Sequence, residues 1–127
     1  MAGRPAENSL VHMGIAFLAM GGWAAFANRA HPMPEPLVAG LVQGALSAAI
    51  TLVLKRMVEA LGRRLAGFAA LVLPPLIAVS LSLAILGSIH AAAGTPELLA
   101  TIALPASVTA LYSAGYALAL WRGRRAA

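Results

Sequence analysis

The chain has 127 residues, 61% of them hydrophobic and 10% charged, and its mean hydropathy of +0.85 excludes a soluble domain of this size and assigns it to a membrane. The formal charge of +5 does not call for nucleic acid, because the basic residues sort by position along the chain rather than forming one patch. There is no cysteine, which removes disulfides, thiolate metal sites and cysteine nucleophiles.

Four apolar segments carry nearly all the apolar residues, and as helices at about 1.5 Å per residue each crosses roughly 30 Å of hydrocarbon. The expected fold is an all-α integral membrane protein: one transmembrane domain over residues 1–127, a bundle of four helices at about 10–28, 37–61, 65–90 and 96–121. Strands are disfavoured, since the segments are rich in Ala and Leu and lack period-two alternation.

Helix one begins after Ser9, a candidate cap, and closes at Asn28-Arg29. Arg4, the apolar run from Leu10 and Ala25-Phe26-Ala27 imitate a signal peptide, but its removal would leave three helices, so the segment is expected to be retained. The prolines of "HPMPEP" make the first loop short and stiff, with Arg29 and Glu35 placed to pair across it, and Pro36 starts helix two. Lys55, Glu59 and Arg63 are spaced four apart on an extension of that helix, which Gly62 is expected to stop. Helix three carries Pro74-Pro75, which is expected to kink it. Gly94 ends it, Thr95 caps helix four and Pro96 takes that helix's first position. The faint echo of His31-Pro-Met-Pro-Glu-Pro-Leu in His90-Ala-Ala-Ala-Gly-Thr-Pro-Glu-Leu suggests two tandem helical hairpins.

Eight of the nine Lys and Arg residues lie at the amino terminus (Arg4), in the middle loop (Lys55, Arg56, Arg63, Arg64) and at the carboxyl terminus (Arg122, Arg124, Arg125), against Arg29 alone elsewhere. The positive-inside rule then puts both termini in the cytoplasm, and the Ala-, Leu-, Gly- and Arg-rich composition leans towards a bacterial inner membrane.

On helix two, Gly40, Gly44, Ser47, Ala48 and Thr51 share a narrow face, with Gln43 at its edge and Leu41, Val42, Leu46, Leu52 and Val53 opposite. Lipid gives helices no hydrophobic drive to associate, so small residues that let backbones approach mark this as a packing face, within one chain or between copies. Helix three repeats the device with Ser80, Ala84, Gly87, Ser88 and Ala91. Helix four bears a polar and aromatic stripe of Thr101, Pro105, Thr109, Tyr112, Gly115 and Tyr116. With Asn28 and Gln43 its Thr101, Thr109, Tyr112 and Tyr116 are the candidate lining of a pocket or pore; alternatively the hydroxyls bond across helices or back to the carbonyl four residues earlier. Tyr116 and Trp121 also suit an interfacial belt.

No Asp, Glu, Lys or Arg falls in the central part of a span, which argues against an ion-coupled carrier. Glu7, Glu35, Glu59 and Glu97 are scattered and no nucleophile–base pair stands out, so no catalytic, cofactor or metal site is expected; His31 and His90, at one depth, lack a third ligand. The reading is a small, non-enzymatic inner-membrane protein that acts as a self-assembling or accessory subunit through its small-residue faces, its partners being the lipid bilayer and copies of itself or other membrane subunits. The alternative is a passive channel, small-solute transporter or lipid-binding protein built on the stripe of helix four.

Overall fold

The computed structural model describes residues 5–126. They form four α-helices: α1 (Pro5–Ala27), α2 (Glu35–Arg64), α3 (Gly67–Ala92) and α4 (Leu98–Ala126). All four are long and apolar enough to cross a membrane. α1 packs chiefly on α2 and α3 chiefly on α4, α2 joins the two pairs, α4 closes back on α1, and α1 and α3 lie diagonally apart. The loops 28–34 and 93–97 share one end of the bundle, here the loop end. The α2–α3 turn shares the other, basic, end with Arg122, Arg124 and Arg125; Arg4 lies outside the described residues.

Large apolar side chains cover the outside of the bundle on every helix: Leu18 is 74% exposed, Phe68 72%, Leu99 78% and Leu111 77%. Most of what is buried is small or polar. Ala24, Ala39, Ala70, Ala78 and Ala117 fill the core beside Leu54, Val58 and Leu86, and Asn28, Gln43, His90 and Thr101 lie fully inside. This inverts the pattern of a water-soluble bundle, in which the largest apolar side chains turn inward.

Several local expectations are corrected. α1 runs from Pro5, so it is already under way at Ser9 and does not begin after it. α2 runs through Gly62 to Arg64, and the break falls instead at Leu65–Ala66 in extended backbone, followed by Gly67 at φ +60°. That left-handed conformation is cheap only for glycine. Gly94, at φ +73°, does follow the end of α3. α4 starts at Leu98, two residues later than Pro96 would place it. Arg29 does not reach Glu35: it donates to the Phe26 carbonyl and lies 3.8 Å over the Phe26 ring. Glu59 turns away from Lys55 and Arg63 and accepts the Tyr116 hydroxyl. α3 passes through Pro74-Pro75 as the single continuous helix expected there.

Candidate functional site

Along the α1–α2 seam the two backbones approach closely. A Cβ added to Gly21 would lie 2.8 Å from the Gly40 carbonyl oxygen and 3.3 Å from the Gly44 Cα. One on Gly40 would meet the Gly21 carbonyl oxygen at 3.0 Å, and one on Gly44 the Phe17 carbonyl oxygen at 3.0 Å and its ring at 3.1 Å. The small-residue face expected on α2 is therefore occupied by α1 of the same chain. Gly40, Gly44 and Ser47 are buried there, while Ala48 and Thr51 are half-buried towards its edge. The matching Phe17, Gly21 and Ala25 of α1, also four apart, escaped the sequence reading.

Polar groups tie the helices at the loop end. Asn28 donates through Nδ2 to the Ala24 carbonyl and to the Thr101 hydroxyl, both at 2.8 Å, and its Oδ1 accepts the Glu97 N–H at 3.0 Å. Asn28, just past the end of α1, thus holds the N–H that precedes α4. Thr95, expected to cap that helix, is instead joined to Nδ1 of His90 at 2.7 Å. Trp23 Nε1 donates to the Ala100 carbonyl at 2.9 Å, and the exposed His31 ring sits 2.9 Å from the Glu97 carboxylate. His90 is buried, not solvated, and does not meet His31. Its Nε2 lies 2.8 Å from Gln43 Oε1, and Gln43 Nε2 donates to Ser47 Oγ at 2.8 Å. With the Gln43 amide so oriented, His90 carries its proton on Nε2 and accepts from Thr95 on Nδ1. No buried side-chain polar atom among the described residues is left without a partner.

The stripe of helix four divides. Thr101, Pro105 and Thr109 are buried, but the inward line continues through Ser113 and Ala117, whereas Tyr112 and Gly115 are exposed and Tyr116 is half-buried against Glu59. Ser113 bonds back to the Thr109 carbonyl, and Thr51 to that of Ser47. On α3 the buried residues are Ala70, Pro74, Ala78, Ser82, Leu86 and His90. Ser80, Ala84, Ser88 and Ala91 are exposed and Gly87 half-buried; two residues turn a helix by about 200°, so the expected face is the opposite one.

Between α1, α2 and α4 lies a cleft of about 340 Å³. Its walls include Ala16, Ala19 and Met20 of α1, Ile50 and Leu54 of α2, and Val108 of α4, with Leu86 of α3 also on its lining. Gln43, Ser47, Thr51, Thr109 and Tyr112 reach it, as does His12. The hydrogen bonds of Gln43, Ser47 and Thr51 run to one another, along the helix or to His90 of α3, so the surface offered is mainly apolar. The α1–α4 hydrogen bonds lie at the loop end, at Trp23 and Asn28, and the cleft sits below them, where the two helices are not tied. Towards the basic end the core closes over Leu54, Val58, Ala78 and Ala117, which interrupts the polar line begun by Asn28 and Gln43. Among the described residues no group of three or more His, Cys, Asp or Glu could hold a metal ion. Comparison with protein-family models, with curated proteins and with solved structures gave no match to this chain.

Proposed function

We propose that this chain is a non-enzymatic, multi-pass membrane protein of the bacterial inner-membrane type, with both termini in the cytoplasm, that binds a membrane-resident apolar or amphiphilic molecule between α1 and α4. The observation that carries the reading is the cleft: about 340 Å³ falls in the range of small-molecule sites, which are concave, mostly apolar and furnished with a few polar groups. Insertion is supported by the exposed leucines and phenylalanines around the bundle, which in water would form an apolar surface far larger than a monomer tolerates. Orientation rests on the charge bias. In a bilayer α3 bends at Pro74-Pro75, because the carbonyls of Ala70 and Leu71 lose their helical donors there. A through-going conduit within one protomer is disfavoured by the apolar closure at Leu54 and Val58.

Native mass spectrometry of protein extracted from membranes in a mild detergent tests the binding reading. The wild-type chain is expected to retain an amphiphile that is lost from Ala16→Phe and Ala19→Phe, which fill the cleft from α1. Equal retention by all three, or by none, removes the cleft from consideration.

A second reading, assembly with copies of itself or with other membrane subunits, is favoured by α3, where Ser80, Ala84, Ser88 and Ala91 are exposed and not covered by the rest of the bundle. Such faces suit close helix contacts in lipid. Cysteine at Ala84 should cross-link between protomers in membranes; a monomeric product at every oxidant concentration excludes it.

A further inference from the structure

We infer that the occupant of the cleft is an uncharged amphiphile whose polar group is a carbonyl oxygen, received by the hydroxyls of Ser47 on α2 and Thr109 on α4. The inference rests on the binding function just proposed and supplies its ligand class.

Hydrogen bonding gives the first argument. Ser47 and Thr109 are only 7% and 8% exposed, and both line the cleft. Neighbouring hydroxyls are satisfied within their own helices: Thr51 donates to the Ser47 carbonyl at 2.7 Å and Ser113 to the Thr109 carbonyl at 2.6 Å. Ser47 and Thr109 do neither. The Ser47 oxygen accepts Gln43 Nε2 at 2.8 Å, and with the Gln43 amide oriented as above the Ser47 proton reaches no acceptor among the described residues. The Thr109 hydroxyl makes no hydrogen bond among them at all. Every sealed polar side-chain atom there has a partner, so the Thr109 oxygen is not sealed: the small part of this side chain left accessible includes its hydroxyl, on the cleft wall. A buried donor with hydrocarbon around it favours a molecule that brings an acceptor. A carbonyl oxygen, with two lone pairs, can take one such donor or both.

Charge gives the second. No Asp, Glu, Lys or Arg is among the described residues that line the cleft. An ammonium, a carboxylate or a phosphate would lie between α1, α2 and α4 without a fixed counter-charge, in surroundings where an isolated ion is costly. Of the lining side chains only His12 can bring a positive charge, and it stands at an exposed position on α1. The rest of the wall, with Ala16, Ala19 and Met20 on one side and Val108 on the other, receives the apolar body of the molecule. A neutral carbonyl compound complements both features, an apolar wall and two hydroxyl donors set into it on different helices.

The test uses the full chain, stripped of lipid in dodecylmaltoside. Thermal unfolding reads binding, and the infrared carbonyl band of the probe reads hydrogen bonding, since the detergent has no carbonyl of its own. Methyl decyl ketone is expected to raise the melting temperature at a lower mole ratio than dodecane, dodecanol or dodecanoate, and its carbonyl band to move to lower frequency when bound. Thr109→Val keeps the shape of the side chain and every hydrogen bond named above. It should weaken the ketone response by about 5-fold, the worth of one ordinary hydrogen bond, and leave the dodecane response unchanged. Ser47→Ala should do the same, and with both hydroxyls removed the carbonyl band should return to its frequency in empty micelles. Ala19→Phe should abolish every response. If ketone and dodecane act alike and Thr109→Val responds as wild type, the carbonyl assignment is overturned while the apolar site stands. A stronger response to dodecanoate, drawn to His12, or to dodecanol overturns it in the same way. If no probe shifts the melting curve, the cleft is not a binding site and both proposals fall.

Discussion

Gly21→Ala tests the packing of the bundle with the smallest possible perturbation. The new methyl would lie 2.8 Å from the Gly40 carbonyl oxygen and 3.3 Å from the Gly44 Cα, against an ordinary carbon–oxygen contact of about 3.3 Å or more. Both neighbours are backbone atoms with no rotamer to change, so α1 and α2 must part by roughly 0.5 Å over their closest segment. Overpacking by one carbon costs about 1–3 kcal/mol, while replacing Gly by Ala in a helix returns up to about 1 kcal/mol. A net loss of about 1–2 kcal/mol follows. Gly22 is the internal control, since it adjoins Gly21 and a Cβ there would meet nothing within 4 Å; Gly22→Ala should be neutral or stabilising by up to about 1 kcal/mol. Unfolding of the two variants in dodecylmaltoside–SDS mixed micelles measures the difference directly. Equal stability of the pair, or a more stable Gly21→Ala, would refute the tight seam.

Gly44→Leu should lower stability by more than Gly21→Ala without changing the oligomeric state, because the contact lies inside one chain; Leu46→Ala, on a half-buried position away from the seam, should do little, and a change of oligomer size with Gly44→Leu in cross-linking or light scattering would contradict this. Asn28→Ala removes the Thr101 hydrogen bond and the hold on the Glu97 N–H together and should cost about 1–3 kcal/mol by the same unfolding assay; a loss below the average of about 0.6 kcal/mol for a single interhelical bond in a membrane would show that this tie is dispensable. Reporter fusions after Gly62 and Ala127 should be cytoplasmic and one after Ala93 external, and mixed signals at all three sites would overturn the orientation. Spin labels on α3 at Phe68 and Ala91 in lipid should lie closer together than a straight helix of 23 residues permits, which is about 35 Å at 1.5 Å per residue; the full straight-helix distance would exclude the bend at Pro74-Pro75.

Helix number and type were legible because length, hydropathy and the Gly and Pro positions all act locally. The face of α2 was legible too: glycines four apart are costly in a helix unless a backbone approaches them, as Gly21 and Phe17 do. The face of α3 was not, because that helix carries small or hydroxyl residues on two opposite sides, Ser80-Ala84-Ser88 and Ala78-Ser82, and hydrophobicity cannot choose between inside and outside when the outside is itself apolar. What decides is His90: a side chain with two ring nitrogens to satisfy turns towards Gln43 and Thr95 and takes Leu86 and Ser82 inward with it. That pairing joins residues 47 apart in the chain, beyond the reach of any local pattern. The cleft was hidden for the same reason, since Ala16, Ala19 and Ile50 look like lipid-facing residues until α4 is tied to α1 at Asn28 and not below.

On the proposed reading the cleft between α1 and α4 fills from the bilayer, and this sets the terms in which occupancy must be counted. A molecule that reaches the site from within the bilayer never crosses water, so its effective concentration is a mole fraction in two dimensions, and detergent added during purification acts as a diluent of the ligand as well as a solvent for the protein. Saturation in a cell can therefore coexist with an empty site in a large micelle excess. Titrations that vary the ligand-to-detergent ratio at fixed protein should collapse onto one curve, whereas plots against bulk molarity should shift with every change of detergent.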